Sequence, residues 1–265
     1  MLCDIITYNI HGLPWSRDTS SSIVKWLQSI QPGIICLQEV FCESTRFFYK
    51  TKLEKSGYYV SIPNDLGVTA LSSGLLIAVL SSKYRVISEC FCCFQNYHNV
   101  ELLANKGFHT IRLIDLSTNR PLVIANTHTQ SNTEISWWFG SKASDIRREQ
   151  FAQMLRFFSG NRQPVLIVGD MNCEYSPHPN IRFLTHSGND VNKKHTFYST
   201  GEDLDHIGWI PIQWAKPNCH YCNINKLGPI MESCEVYQKP WSDHAPVRAS
   251  VFIPDSVIVE NNYMK

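Results

Sequence analysis

The sequence predicts one α/β domain made of two packed sheets with helices on the outside. Three observations lead there. Short apolar runs of strand length recur along the chain, stretches of helical periodicity separate them, and no repeat, low-complexity tract or Gly/Ser linker divides the series. At 265 residues and 43% hydrophobic composition, the chain can bury a large core without disulfides or a structural metal.

Residues 4–9 read as the first strand. Ser20 to Ser22 offer N-caps for a helix that places Ile23, Val24, Trp26, Leu27 and Ile30 on one face. Pro32-Gly33 ends it, and residues 34–37 form a buried strand. A second amphipathic helix spans 43–56. Strands follow at 74–80, 84–91, 108–115 and 122–127. A helix over 144–158 presents Ile146, Phe151, Met154, Leu155 and Phe158 to the core. Strands at 165–168, 204–210 and 245–253 complete the domain, expected to span 1–255, with 256–265 a frayed tail.

Charge and composition narrow the function. The 24 basic and 23 acidic residues leave a net charge of +1, without the basic footprint of a typical nucleic-acid binder. No apolar run reaches the roughly 18 residues of a membrane span. The N-terminus shows no secretory pattern, so a cytoplasmic location with the ten Cys reduced is expected. Cys219 and Cys222 have C-x-x-C spacing, which by itself does not make a zinc site.

The chemistry is written where polar residues interrupt the apolar strands. Asn9 ends the first, Gln38-Glu39 the second, and Thr127-His128 a third. Asp170 and Asn172 follow Val-Leu-Ile-Val-Gly, and Asp243-His244 precede the last strand. Ligands of open α/β sheets bind at strand ends, so these groups are candidates to converge. Any one strand-end Asn or Glu is more often a turn former; the coincidence of several gives the pattern weight. Asp, Glu and Asn oxygens without a Cys/His cage suit a hard cation. An Asp beside a His suggests an oriented imidazole that takes a proton from water. No Gly-rich phosphate loop or G-x-S-x-G elbow is present. The residues therefore point to metal-assisted hydrolysis of a phosphate ester.

In order, Asn9, Gln38-Glu39, Gly169-Asp170-Met171-Asn172, Leu204-Asp205-His206-Ile207 and Ser242-Asp243-His244-Ala245-Pro246-Val247 resemble the motif set of the DNase I-like (endonuclease/exonuclease/phosphatase) superfamily. Within it, Glu39-Val40-Phe41, Ser73-Gly74-Leu75, Asn105-Lys106-Gly107-Phe108 and Thr127-His128-Thr129-Gln130 with downstream Arg147 and Gln150 are most similar to neutral sphingomyelinases. The resemblance implies a four-layer α/β/β/α sandwich and a Mg²⁺-dependent phosphodiesterase, with Mn²⁺ or Ca²⁺ as alternatives, acting on sphingomyelin or a related phospholipid. It implies that Glu39, helped by Asn9, holds the metal, and that His244, oriented by Asp243, is the general base. His128 and Asn172 would contact the phosphate, Asp170 would assist near the leaving oxygen, and Asp205 would be a supporting partner. The family usually has Asp-Tyr where this chain has Asp205-His206.

Trp137, Trp138 and Phe139 fit neither helical nor strand alternation and are a candidate membrane contact beside the site; the plain alternative is a loop folded onto the core. The expected partner is a phospholipid or other phosphodiester, met by a monomer with peripheral membrane contact. Two rivals stand beside this reading: an endonuclease or DNA-repair phosphodiesterase on the same fold, and a catalytically silent binding module.

Overall fold

The computed structural model describes residues 1–65, 69–97, 101, 103–132, 140–161, 163–185, 195–210 and 229–254. Trp137, Trp138 and Phe139, the Cys219/Cys222 pair and the expected tail lie outside these residues. The described strands form two six-stranded sheets. The first is ordered β11 (Ile230–Val236), β12 (Val247–Phe252), β1 (Leu2–Asn9), β2 (Ile34–Gln38), β4 (Leu76–Leu80), β3 (Tyr58–Ser61). The second is β5 (Tyr84–Cys93), β6 (Gly107–Asp115), β7 (Arg120–His128), β8 (Val165–Asp170), β10 (Asp205–Ile210), β9 (Arg182–Phe183). Helices α1 (Ser20–Ile30) and α2 (Glu43–Glu54) cover the first sheet, and α3 (Gly140–Phe158) covers the second. The fold is the four-layer α/β/β/α sandwich.

Each sheet has one parallel pair at its centre: β1 with β2, joined through α1, and β7 with β8, joined through α3. A parallel pair requires a crossover, and a helix supplies it. Both faces of these central strands are therefore covered, which is why they read as continuous apolar runs. In β1, Cys3 and Ile5 enter the core between the sheets, whereas Ile6 and Tyr8 face the helical layer. Helix α1 begins at Ser20 itself: Asp18 Oδ1 accepts the Ser20 N–H at 2.9 Å, so an Asp two residues earlier holds the entry instead of the serines. Gln31 closes the helix in the left-handed region at φ 41°, one residue ahead of Pro32.

The structure adds strands β3, β9 and β11 to those the sequence pattern predicts. They are edge strands: β9 has two residues, and β11 is largely exposed, so neither carries an apolar period. Below the site, polar ties link the sheets at the centre and at one edge. At the centre, Gln38 Nε2 donates to Asn126 Oδ1 at 2.7 Å, and Asn126 Nδ2 donates to the Leu37 and Leu76 carbonyls at 2.9 and 3.0 Å. Thr7 Oγ1 completes the group on the Gln38 amide, and all three side chains are fully buried. At one edge, Ser61 of β3 donates to Glu89 of β5 and meets Nε2 of the buried His109 on β6 at 2.6 Å.

Replacing Asn126 with Ala strands the Gln38 donor and two buried carbonyls. Urea unfolding is expected to show a loss of about 2–4 kcal/mol; a loss under about 0.5 kcal/mol would refute the central tie. Burial, opposed by Glu89, holds the pKa of His109 down from 6.5 to about 4. Between these values the unfolded chain binds a proton that the folded chain refuses, so stability falls as pH drops through that window. The full difference corresponds to roughly 3 kcal/mol. His109→Gln should remove this part of the acid sensitivity, read as a flatter dependence of the unfolding midpoint on pH from 6.5 to 4.

Candidate active site

The strand register sets site residues side by side. Asn9 is the partner of Gln38, just before Glu39; His128 is the partner of Asp170; and Asp170 is the partner of Asp205 across β10. The carboxyl ends of both parallel pairs thus open into a cleft of about 490 Å³.

Asp170, 1% exposed, is the hub. Its Oδ2 accepts from Asn9 Nδ2 at 2.9 Å and lies 3.6 Å from Nε2 of both His128 and His244. Its Oδ1 accepts the backbone N–H of Asn172 at 3.0 Å. The strand must be glycine just before it. Gly169 sits at φ 143°, and a Cβ there would fall 1.9 Å from the Thr127 carbonyl oxygen. Burial opposes ionisation of Asp170, but the two imidazoles and the Asn9 amide outweigh it and lower its pKa.

On the opposite sheet, Glu39 lies in the left-handed region at φ 60°. Its Oε1 accepts from Asn9 Nδ2 at 2.9 Å, while its buried Oε2 has no hydrogen-bond partner. Asn9 therefore spans the two carboxylates. Its own Oδ1 accepts the His11 N–H at 3.0 Å, so the amide chiefly positions Glu39 against Asp170. Gly12 permits this packing, since a Cβ would stand 2.4 Å from the Glu39 carbonyl oxygen.

His244 Nδ1 donates to Asp205 Oδ2 at 2.7 Å. The orienting carboxylate is thus Asp205, not the adjacent Asp243. Side chains of consecutive residues diverge, and Asp243 turns instead to the rim, where its Oδ1 meets His11 Nδ1 at 3.1 Å. Asp205 comes across from the second sheet and reaches the ring directly.

Asp170, Asp205 and His244 present ligand atoms within 4.8 Å of one another, a donor set that fits a divalent cation. The Asp205–His244 hydrogen bond already occupies one side of that group. On the other side of Asp170, the unpartnered Glu39 Oε2 adds a further buried oxygen.

A family model described as the endonuclease/exonuclease/phosphatase family matches residues 6–244. The chain belongs to that family. No curated protein sequence matches it. Among solved structures, a beta toxin mutant from Staphylococcus aureus with bound magnesium ions superposes with TM-score 0.71 at 17% identity, covering 93% of this chain and 98% of the toxin. Sphingomyelinase C from Streptomyces griseocarneus gives 0.70 at 16%, covering 94% and 99%. A humanized TDP2 from D. rerio gives 0.71 at 15%, covering 95% and 99%. At these identities the likeness shows the fold.

For this family member, electrostatics separate the two cleft histidines. Burial lowers the pKa of His244, but Asp205 and Asp170 overcome it and raise it to about 10. Burial and the neighbouring Lys106 instead push His128 down, against the pull of Asp170, Glu39 and Glu101. His206, where the resemblance expects Tyr, keeps a packing role. It stacks on Phe183 with ring centroids 4.1 Å apart, and its Nε2 lies 2.8 Å from the Asp203 carbonyl oxygen.

Three cleft residues escaped the reading of the sequence as site members. His11 pairs with Asp243, and Lys106 forms a buried 2.9 Å ion pair with Glu101 beside His128. The Asn-x-His-Gly spacing after β1 is a local signal for the first. The Lys–Glu pairing crosses a turn and has none.

Asp205→Asn removes the charge that does most to raise the pKa of His244. The ring titration, followed by NMR, should move to lower pH, and phosphodiester turnover should fall roughly 10²–10⁴-fold. An unmoved titration would contradict the assigned partner.

Proposed function

We propose that this chain is a Mg²⁺-dependent phosphodiesterase that hydrolyses sphingomyelin or a related phospholipid by direct attack of water. The observation that carries the hydrolytic reading is the buried Asp170 carboxylate, flanked by two imidazoles and bridged by Asn9 to a Glu39 with an uncommitted oxygen. A divalent cation held by Glu39 and Asp170 would act as Lewis acid on the phosphoryl oxygens and, through its charge, lower the proton affinity of the neighbouring Asp170–His244 pair.

The chain's own groups then have distinct tasks. Asp205 fixes the His244 ring through Nδ1, which directs Nε2 into the cleft to take the proton of the attacking water. His128 and Asn172 border the cleft where the phosphoryl oxygens would lie. As the water oxygen bonds to phosphorus, the bond to the leaving oxygen breaks, and that oxygen takes a proton from solvent, giving an alcohol and a phosphomonoester.

Lipid is preferred over nucleic acid on charge. Among the described residues lining the cleft, Lys106 is the one Lys or Arg, and Glu101 neutralises it. A polyanion gains little there, since nucleic-acid affinity is carried by cations on phosphates. The likeness to sphingomyelinase C supports the same direction, and the magnesium bound to the beta toxin supports the choice of ion.

The purified protein with Mg²⁺ should turn over sphingomyelin vesicles and lose activity with EDTA. His244→Ala should reduce the rate by roughly 10³-fold or more. Plasmid DNA and an abasic duplex complete the panel. Cleavage of DNA without lipid turnover would replace the lipid substrate with a nucleic acid, and full activity of His244→Ala would overturn the mechanism.

A further inference from the structure

The mouth of the cleft carries an apolar rim that hydrolysis alone does not require. Trp15 is 75% exposed, the highest value among the large hydrophobic side chains described, and Leu103 is 50% exposed; both border the cleft. A single exposed apolar side chain is unremarkable in itself. Here two loops far apart in sequence bring theirs to one opening, and each loop is tied down.

The Trp15 turn is held on both sides. Ser16 Oγ donates to the His11 and Leu13 carbonyls at 2.7 and 2.8 Å, and Thr19 Oγ1 donates to the Trp241 carbonyl at 2.9 Å. His11, at the start of the turn, is anchored to Asp243. The second loop is fixed by the Leu71 N–H on the Leu103 carbonyl at 2.6 Å and by a bridge between Leu71 and Ala104. Such tethering keeps the indole presented at the rim, where a free loop could fold it away.

Charge chooses the partner. Beyond Lys106, which Glu101 pairs, the described lining holds no Lys or Arg, so the mouth offers a polyanionic strand no such side chain to hold its phosphates. A zwitterionic lipid surface does not need one and accepts an amphipathic indole at its headgroup level.

We infer that the rim formed by Trp15 and Leu103 is the surface that seats the protein on a zwitterionic phospholipid bilayer, with the cleft opening onto the headgroups. This rests on the phospholipid reading above and names the face through which that substrate is reached. The indole and the leucyl side chain enter the interface, while the phosphodiester is drawn inward toward Asp170.

The test uses the full chain with Mg²⁺ as wild type, Trp15→Phe, and Trp15→Ala combined with Leu103→Ser, each checked for an unchanged melting profile. Three readouts are taken: co-sedimentation with phosphatidylcholine–sphingomyelin vesicles, turnover of the vesicle lipid, and turnover of soluble bis(p-nitrophenyl) phosphate. Removing this apolar area should weaken vesicle binding roughly tenfold or more and lower the ratio of vesicle to soluble turnover by a similar factor. Trp15→Phe should retain most of both. Equal binding and an equal ratio in the double variant would overturn the inference, as would a wild type that does not bind vesicles. A proportional loss of soluble and vesicle turnover would also overturn it, because the rim would then be acting on the site itself. Rim-dependent binding without lipid hydrolysis would uphold the docking face and reject the substrate reading, so the two can fail separately.

Discussion

The amide–amide hydrogen bond between Gln38 and Asn126 sets the relation of the two sheets on which the cleft depends. Apolar packing between sheets is nearly indifferent to small sliding, because dispersion and burial are not directional. A buried amide pair is directional, and it punishes a slip by leaving donors and carbonyls without partners. Asn126 also reaches two backbone carbonyls of the opposing sheet, so it recognises one position of that sheet. Glu39 follows Gln38 directly, and His128 lies two residues beyond Asn126. The tie therefore stands immediately beneath the groups it must align.

Above it, the site concentrates features that cost stability elsewhere. Of the five non-glycine residues with positive φ among those described, His11, Glu39 and Asn172 all border the cleft. Each such residue costs about 1–3 kcal/mol and persists only where its surroundings over-determine it. Asp170 adds a buried carboxylate, tolerated because two imidazoles, an amide and a backbone N–H surround it. Glu39 Oε2 remains buried and unsatisfied. An arrangement that is strained, acidic and incompletely paired is poor for folding and apt for a cation and a phosphate. Its support is the rigid four-layer frame and the tether from Asn9.

The same geometry explains why roles were harder to read than positions. Asn9, Glu39, His128, Asp170, Asn172 and His244 announce themselves as polar ends of apolar strands, and the fold does bring them to one cleft. Asp243 stands beside His244 in the chain, which suggests a pair, yet the ring's partner arrives from β10. Lys106 lies in a motif shared with the resembling family, but its neutralisation by Glu101 and its influence on His128 appear only in space. His11 has only its local spacing after β1 to mark it, and its pairing with Asp243 appears only in space.

The sequence by itself determined the α/β class, the central strands, the three helices and the strand-end residues. Each of these follows from local information, either the period of apolar side chains or a polar break in a buried run. Tertiary structure alone decided the edge strands β3, β9 and β11, the exchange of Asp243 for Asp205, the bridging role of Asn9 and the exposure of Trp15. These are relations between distant segments, governed by register across sheets and by which polar atoms remain unpaired after packing. Local periodicity carries no record of them.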